Sequence, residues 1–187
     1  MVSNHASTQT FPVSMDAFLQ QVERKGYRMA EMALGSHADA LDVLQEAMTK
    51  LVIHYSDKPC EQWKPLFYKI LQNAIRDWQR QQKLKNMLFF WRNQDVDDEM
   101  DWPDNTDSPL SEPDEQWAKA EQQAQSLTVL KALPTQQQQC FLLRSWEGLS
   151  VKETAEIMGC SQGSVKTHYS RAVAKLKVVL EGQDDEG

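Results

Sequence analysis

Apolar residues recur along this chain at three- and four-residue steps, the period of a helix with one buried face, and the two-residue alternation of strands is nearly absent. From Ser14 to Gly35 the apolar positions include Phe18, Val22, Met29 and Met32, with Ser14 suited to start a helix and Gly35 to stop it. A second helix is expected over residues 37–55, with Ala40, Val43, Leu44, Ala47, Leu51 and Val52 on one side. Ser56 to Pro59 breaks the pattern. A third helical tract then runs from about Gln62 to Leu88, with Pro65 expected in its first turn and a bend expected near Asn73. Residues 93–114 carry Pro103, Pro109 and Pro113 among acids and Asn, and offer no apolar face. A fourth helix is predicted from about Glu115 to Leu133, and a fifth over residues 134–148.

The stretch from Ser150 to Lys177 has the most specific pattern. Ser150 and Glu153 have the spacing of a capping box, in which each satisfies an orphan backbone N–H of the other. Gly159 ends that helix, Cys160 to Gly163 supply a turn, and a second helix follows with Val165, Tyr169, Ala172 and Leu176 on its inner face. Ala155 and Met158 face them, and the small Ala155 allows the close approach of about 8–10 Å that crossing helices require. The remaining faces carry Lys166, Thr167, His168, Ser170, Arg171, Lys175 and Lys177, so that between Gly163 and Lys177 there are four cations and no acid. A lone surface lysine is usually solubilising, but this set lies on the second helix of a helix-turn-helix, which is how a helix enters a DNA major groove. Only the N-terminal half of such a helix lies deep in the groove. Ser164, Lys166, Thr167 and either His168 or Arg171 are therefore placed near base edges, with Lys166 the expected guanine reader, and Lys175 and Lys177 near phosphates or solvent.

Charge refines this picture. The 187-residue chain has a net charge of -7, unusual for a protein that grips DNA, yet the imbalance is local. Residues 64–92 hold seven Lys or Arg against Asp77 alone, whereas residues 95–121 hold eleven acids against Lys119 alone. The expected architecture is all-α: two small helical domains, 14–92 and 115–180, joined by an acidic flexible linker over 93–114, the second domain containing the helix-turn-helix. Residues 1–13 are expected to be a loose arm. Cys60, Cys140 and Cys160 lack CxxC spacing and point to a reducing compartment without a disulfide scaffold or zinc site. No apolar run approaches the roughly 20 residues of a membrane span, so no membrane insertion and a cytoplasmic location are expected.

Two further stretches carry chemistry. In DALDVLQEAM, residues 39–48, Asp39, Asp42, Gln45 and Glu46 make a polar, mostly acidic helix face that either meets a basic or amide-rich protein partner or is simply solvated. In FYKILQNAIRDWQRQQ, residues 67–82, and just beyond it, Lys69, Asn73, Arg76, Arg80 and Lys83 recur at three- and four-residue steps as a basic ridge. Phe67, Tyr68 and Trp78 lie in the same tract. Such rings can stack on unpaired bases, although a core position is the commoner fate for Phe67, and Trp78 divides evenly between the two. No GxxxxGK loop, metal cluster or activated nucleophile is present, so no enzyme activity and no cofactor are expected.

These two stretches, with Leu133 to Lys177, resemble the extracytoplasmic-function group of bacterial RNA polymerase sigma factors, in the sigma-70 family. The resemblance covers roughly residues 14–180. It departs at Leu41, where the family usually has an acid, at Leu66 and Phe67, where it usually has Trp-Leu, and in the short 56–63 segment. That leaves open which minus-ten base is read. The resemblance implies that the acidic face docks on core RNA polymerase and that residues 14–92 open the minus-ten element. It implies that the helix-turn-helix reads the minus-35 element, and that an anti-sigma factor is a candidate partner. It also points to the acidic linker entering a basic polymerase channel, where composition alone describes a self-repelling tether. The alternatives are a LuxR-type regulator, whose upstream sensory domain has no counterpart in the pattern of residues 1–133, and a helical adaptor that binds only proteins.

Overall fold

The computed structural model describes residues 14–92 and 127–181, and their regular structure is all helix, with no strand among them. Helix α1, Met15–Leu34, begins where the Ser14 hydroxyl accepts a bond from the Ala17 N–H at 3.2 Å, and ends at Gly35 in the left-handed conformation, φ 68°. Helix α2, His37–Tyr55, is capped in the same manner by Ser36. Phe18, Val22, Met29, Ala40, Leu44, Ala47 and Leu51 from these helices bury against Phe67, Tyr68, Leu71 and Ile75 of helix α3, Cys60–Arg92. Close packing there depends on Gly26, whose missing Cβ would lie 2.9 Å from the Phe67 ring and 3.0 Å from a Leu44 methyl.

Several expectations need correction. Val52 lies outside the buried stripe, 39% exposed. Helix α3 begins at Cys60 and continues through Asn73 to Arg92, so the apolar positions on either side of Asn73 serve one continuous helix. Pro65 sits within it, beyond the first turn. Pro65 has no N–H to offer the carbonyl of Glu61, an exposed residue.

Residues 127–132 form the described part of helix α4, and the expected helix start near Glu115 lies outside the described residues, as do the expected linker and arm. Leu130 and Leu133 pack on Ala172 and Leu176 of the last helix. Helix α5, Thr135–Phe141, then widens into a π-helical turn, Leu142–Trp146, closed by bonds from the Glu147 N–H to the Leu142 carbonyl at 3.2 Å and from the Leu149 N–H to the Leu143 carbonyl at 3.1 Å. The predicted single helix over 134–148 is therefore two kinds of helix. Helix α6 is Val151–Met158 and helix α7 is Gln162–Glu181. The turn between them is shorter than expected, because Gln162 and Gly163 already belong to α7 and Ser161 caps it, its hydroxyl accepting from the Ser164 N–H at 3.0 Å.

One apolar cluster runs from α1, α2 and α3 into Cys140, Leu142, Leu143, Ile157, Met158 and Val165. The unit made by residues 14–92 thus packs directly on the unit made by residues 127–181. Burial pushes the Cys140 thiol up to about 11, so it is protonated at neutral pH.

Candidate nucleic-acid interface

The helix-turn-helix is built from local rules. Glu153 N–H donates to the Ser150 hydroxyl at 3.2 Å and Ser150 N–H donates to the Glu153 carboxylate at 2.8 Å, the capping box expected from their spacing. Hydrogen bonding from the Ser150 side chain, and then from the Ser150 backbone N–H, holds the Glu153 carboxyl below its ordinary pKa. Gly159, at φ 64°, turns the chain after α6. On α7, Val165, Ala172 and Leu176 are buried while Lys166, Thr167, Arg171, Lys175 and Lys177 are exposed, with Ser164 and His168 half-buried. The basic face therefore points outward along the whole helix. Two of its members are less free than the sequence implies: the Thr167 hydroxyl donates to the Gly163 carbonyl at 3.0 Å, and His168 Nδ1 is buried.

Tyr169 packs α7 against the end of α5 and the π-helical turn. Its ring stacks on Phe141 with centroids 6.0 Å apart, the Arg144 guanidinium lies 5.7 Å above it, and its hydroxyl is 3.2 Å from that of Ser145.

On α3, Lys69, Asn73, Arg80 and Lys83 are exposed, as the spacing predicted. Arg80 pairs with Asp77 at 2.7 Å. Arg76 interrupts the ridge. It is half-buried and donates to the Met158 carbonyl at 2.8 Å, to Asn73 Oδ1 at 2.6 Å and to the Gln72 carbonyl at 3.2 Å. Phe67 and Tyr68 are fully buried and have no surface to offer a base. Trp78 is half-buried, and its indole N–H donates to Asp39 Oδ1 at 3.1 Å, so that a candidate DNA residue and a candidate partner-docking residue hold each other. Asp42, Gln45 and Glu46 remain exposed on α2, with Glu46 paired to Lys50.

A polar contact between the two units was not among the features expected from the sequence. Gln72 donates to Gln139 at 2.5 Å, Gln139 to the Met29 carbonyl at 3.1 Å, and Gln138 to the Met32 carbonyl at 3.2 Å. The carboxylate of Glu147, 3% exposed, lies 3.0 Å from the Lys25 ammonium and 3.2 Å from that of Lys64. Burial, and then this carboxylate, push the Tyr68 phenol above its ordinary range. A signal was present: Gln138 and Gln139 precede Leu142 and Leu143 by four residues, so they share the apolar face of their helix.

Among the described residues no group of three His, Cys, Asp or Glu could hold a metal ion, and no helix is long and apolar enough to cross a membrane.

Residues 125–176 match the family described as Sigma-70, region 4. Over 157 residues the chain is 31% identical to the RNA polymerase sigma-E factor of Streptomyces avermitilis, covering 84% of this chain and 79% of that one. Over 159 residues it is 30% identical to the RNA polymerase sigma factor SigV of Bacillus subtilis, covering 84% and 86%. Among solved structures, the sigma factor RpoE bound to the anti-sigma factor NepR from Bartonella quintana shares the fold, with a TM-score of 0.55 at 21% identity over 88% of this chain and 96% of that one.

Proposed function

The chain belongs to the extracytoplasmic-function group of the sigma-70 family of RNA polymerase sigma factors, and from that premise we propose how its residues divide the work of directing core RNA polymerase to a promoter. Residues 115–180 form the minus-35-binding domain. There α7 enters the major groove, with Ser164, Lys166, Thr167 and Arg171 near base edges, His168 at the margin, and Lys175 toward the phosphates. Residues 14–92 form the polymerase-binding and minus-ten domain, and residues 93–114 link the two. Asp42, Gln45 and Glu46, with Asp39 behind them, dock on the polymerase, while Lys69, Asn73, Arg76, Arg80 and Lys83 follow the minus-ten backbone and Trp78 lies beside the opened strand.

The factor itself is no enzyme and needs no cofactor. Promoter opening draws on binding energy, and phosphodiester chemistry belongs to the polymerase. The protein works in the cytoplasm, and an anti-sigma factor is a partner class supported by the structural neighbour RpoE, solved with the anti-sigma factor NepR.

The observation that carries this reading is the outer face of α7, cationic and exposed on a helix that follows a box-capped α6 and whose inner residues Val165, Ala172 and Leu176 are buried. Run-off transcription with purified core polymerase tests it. Initiation at cognate promoters should require this protein, whereas a LuxR-type regulator would only modulate initiation already directed by another factor.

A further inference from the structure

We propose that Leu84 and Met87, at the outer end of the basic ridge on α3, form an apolar wedge that holds the promoter open at the edge of the melted minus-ten region; this rests on the sigma-factor reading above. Leu84 is 49% exposed and Met87 53%, and Leu88 beside them is 68% exposed. One exposed apolar residue is ordinary surface, but positions 84, 87 and 88 share one helical face and make a continuous stripe. The stripe is set among cations. Leu84 and Met87 line a hollow of about 340 Å³ together with Arg76, Gln79, Arg80 and Lys83. After Asp77, α3 contains no acid through to its end at Arg92.

That combination fits an opened duplex better than a closed one. Arg80 and Lys83 are exposed within four residues of Leu84 and Met87, so phosphates following the ridge would bring DNA against the apolar pair. A closed duplex has little to offer that pair: phosphates, polar groove edges and, of apolar groups, the thymine methyl. The apolar faces of bases are reached only where stacking is broken, and there apolar side chains can take the place of the lost neighbour. Contact with Leu84 and Met87 is therefore stronger in the open state, and only such a difference can shift the equilibrium toward it. Trp78, an aromatic residue of the same helix, is held differently. It is half-buried and its indole N–H donates to Asp39 Oδ1 at 3.1 Å, so it stays with the protein while the bases move.

The wedge is tested with the full-length chain assembled on core RNA polymerase, by run-off transcription and permanganate probing of unpaired thymines. Two templates are compared: a duplex promoter, and the same promoter with a mismatched, already open minus-ten region. L84Q/M87Q keeps helix-forming side chains of similar length and removes the apolar contact. It should lower run-off and thymine reactivity on the duplex about tenfold, a step within the range of one lost base-stacking contact, and the pre-opened template should restore run-off to near the wild-type level. L84M/M87L, which keeps the apolar face, should open the duplex as the wild type does. Wild-type activity of L84Q/M87Q on the duplex would overturn the wedge. So would an equal loss on both templates, because the stripe would then serve polymerase docking or general DNA affinity. A wild-type chain that initiates on neither template counts against the sigma-factor reading itself, and the wedge falls with it.

Discussion

Lys166 and Lys175 are both exposed on α7, but only Lys166 lies in the opening turns that can reach base edges, so the two should fail differently when replaced. Lys166→Ala should flatten preference at one or two minus-35 positions, a loss of about 1–3 kcal/mol of discrimination. Lys175→Ala should weaken all promoters alike and lower the salt dependence of binding by about one counterion. A promoter library transcribed by each reconstituted enzyme separates them, and an unchanged preference profile for the Lys166 variant would take that residue off the reading surface. On α2, reversing charge at Asp42 and Glu46 should reduce holoenzyme assembly while thermal stability stays within about 0.5 kcal/mol, since both are exposed and the Glu46–Lys50 pair is a surface pair. Equal polymerase affinity of mutant and wild type would return this face to simple solvation. These residues were legible in the sequence because exposure on a helix follows from period alone. Arg76 followed the same period and was misplaced, because its decisive partner, the Met158 carbonyl, is 82 residues away and is a backbone atom that no side-chain pattern reveals.

The elements whose ends are set by local chemistry were the most predictable. Ser14, Gly35, Ser150 and Gly159 each perform the capping role their residue type favours. The π-helical turn at Leu142–Trp146 and the interior Pro65 were not predictable in this way, since both depend on which backbone groups the tertiary packing leaves satisfied or hydrated. Ser150→Ala should destabilise the helix-turn-helix by about 1 kcal/mol near neutral pH. The Glu153 carboxyl is held below its ordinary 4.5, so its contribution is present above that value and lost as pH falls through the folded-state pKa. The gap in melting temperature between wild type and Ser150→Ala should therefore narrow in acid, and a gap independent of pH would contradict the role given to the capping box. Gly26→Val should lower stability by about 1–3 kcal/mol, because its side chain meets the Phe67 ring and Leu44 in a packed core. Chemical denaturation measures it, and a wild-type midpoint would mean that α1 can move away without loss.

At the scale of the whole molecule, charge and architecture act together. The net charge of -7 opposes the local basic patches, and the closed packing of the two units commits Arg76 to the protein's own backbone. Specific promoter binding should therefore be a property of the assembled polymerase and not of this chain alone. The two-unit helical plan was visible in the sequence, from the proline-rich acidic break between two helical regions. The direct packing of one unit on the other was not, because glutamines and a glutamate at its centre look like surface in a one-dimensional pattern. Whether promoter recognition needs both components is read by footprinting with this protein alone, core polymerase alone, and the two combined on the same DNA. Protection at the minus-35 and minus-ten elements is expected only in the combined sample. A tight, site-specific footprint from the free protein, or an unchanged pattern when it is added to core enzyme, would contradict it.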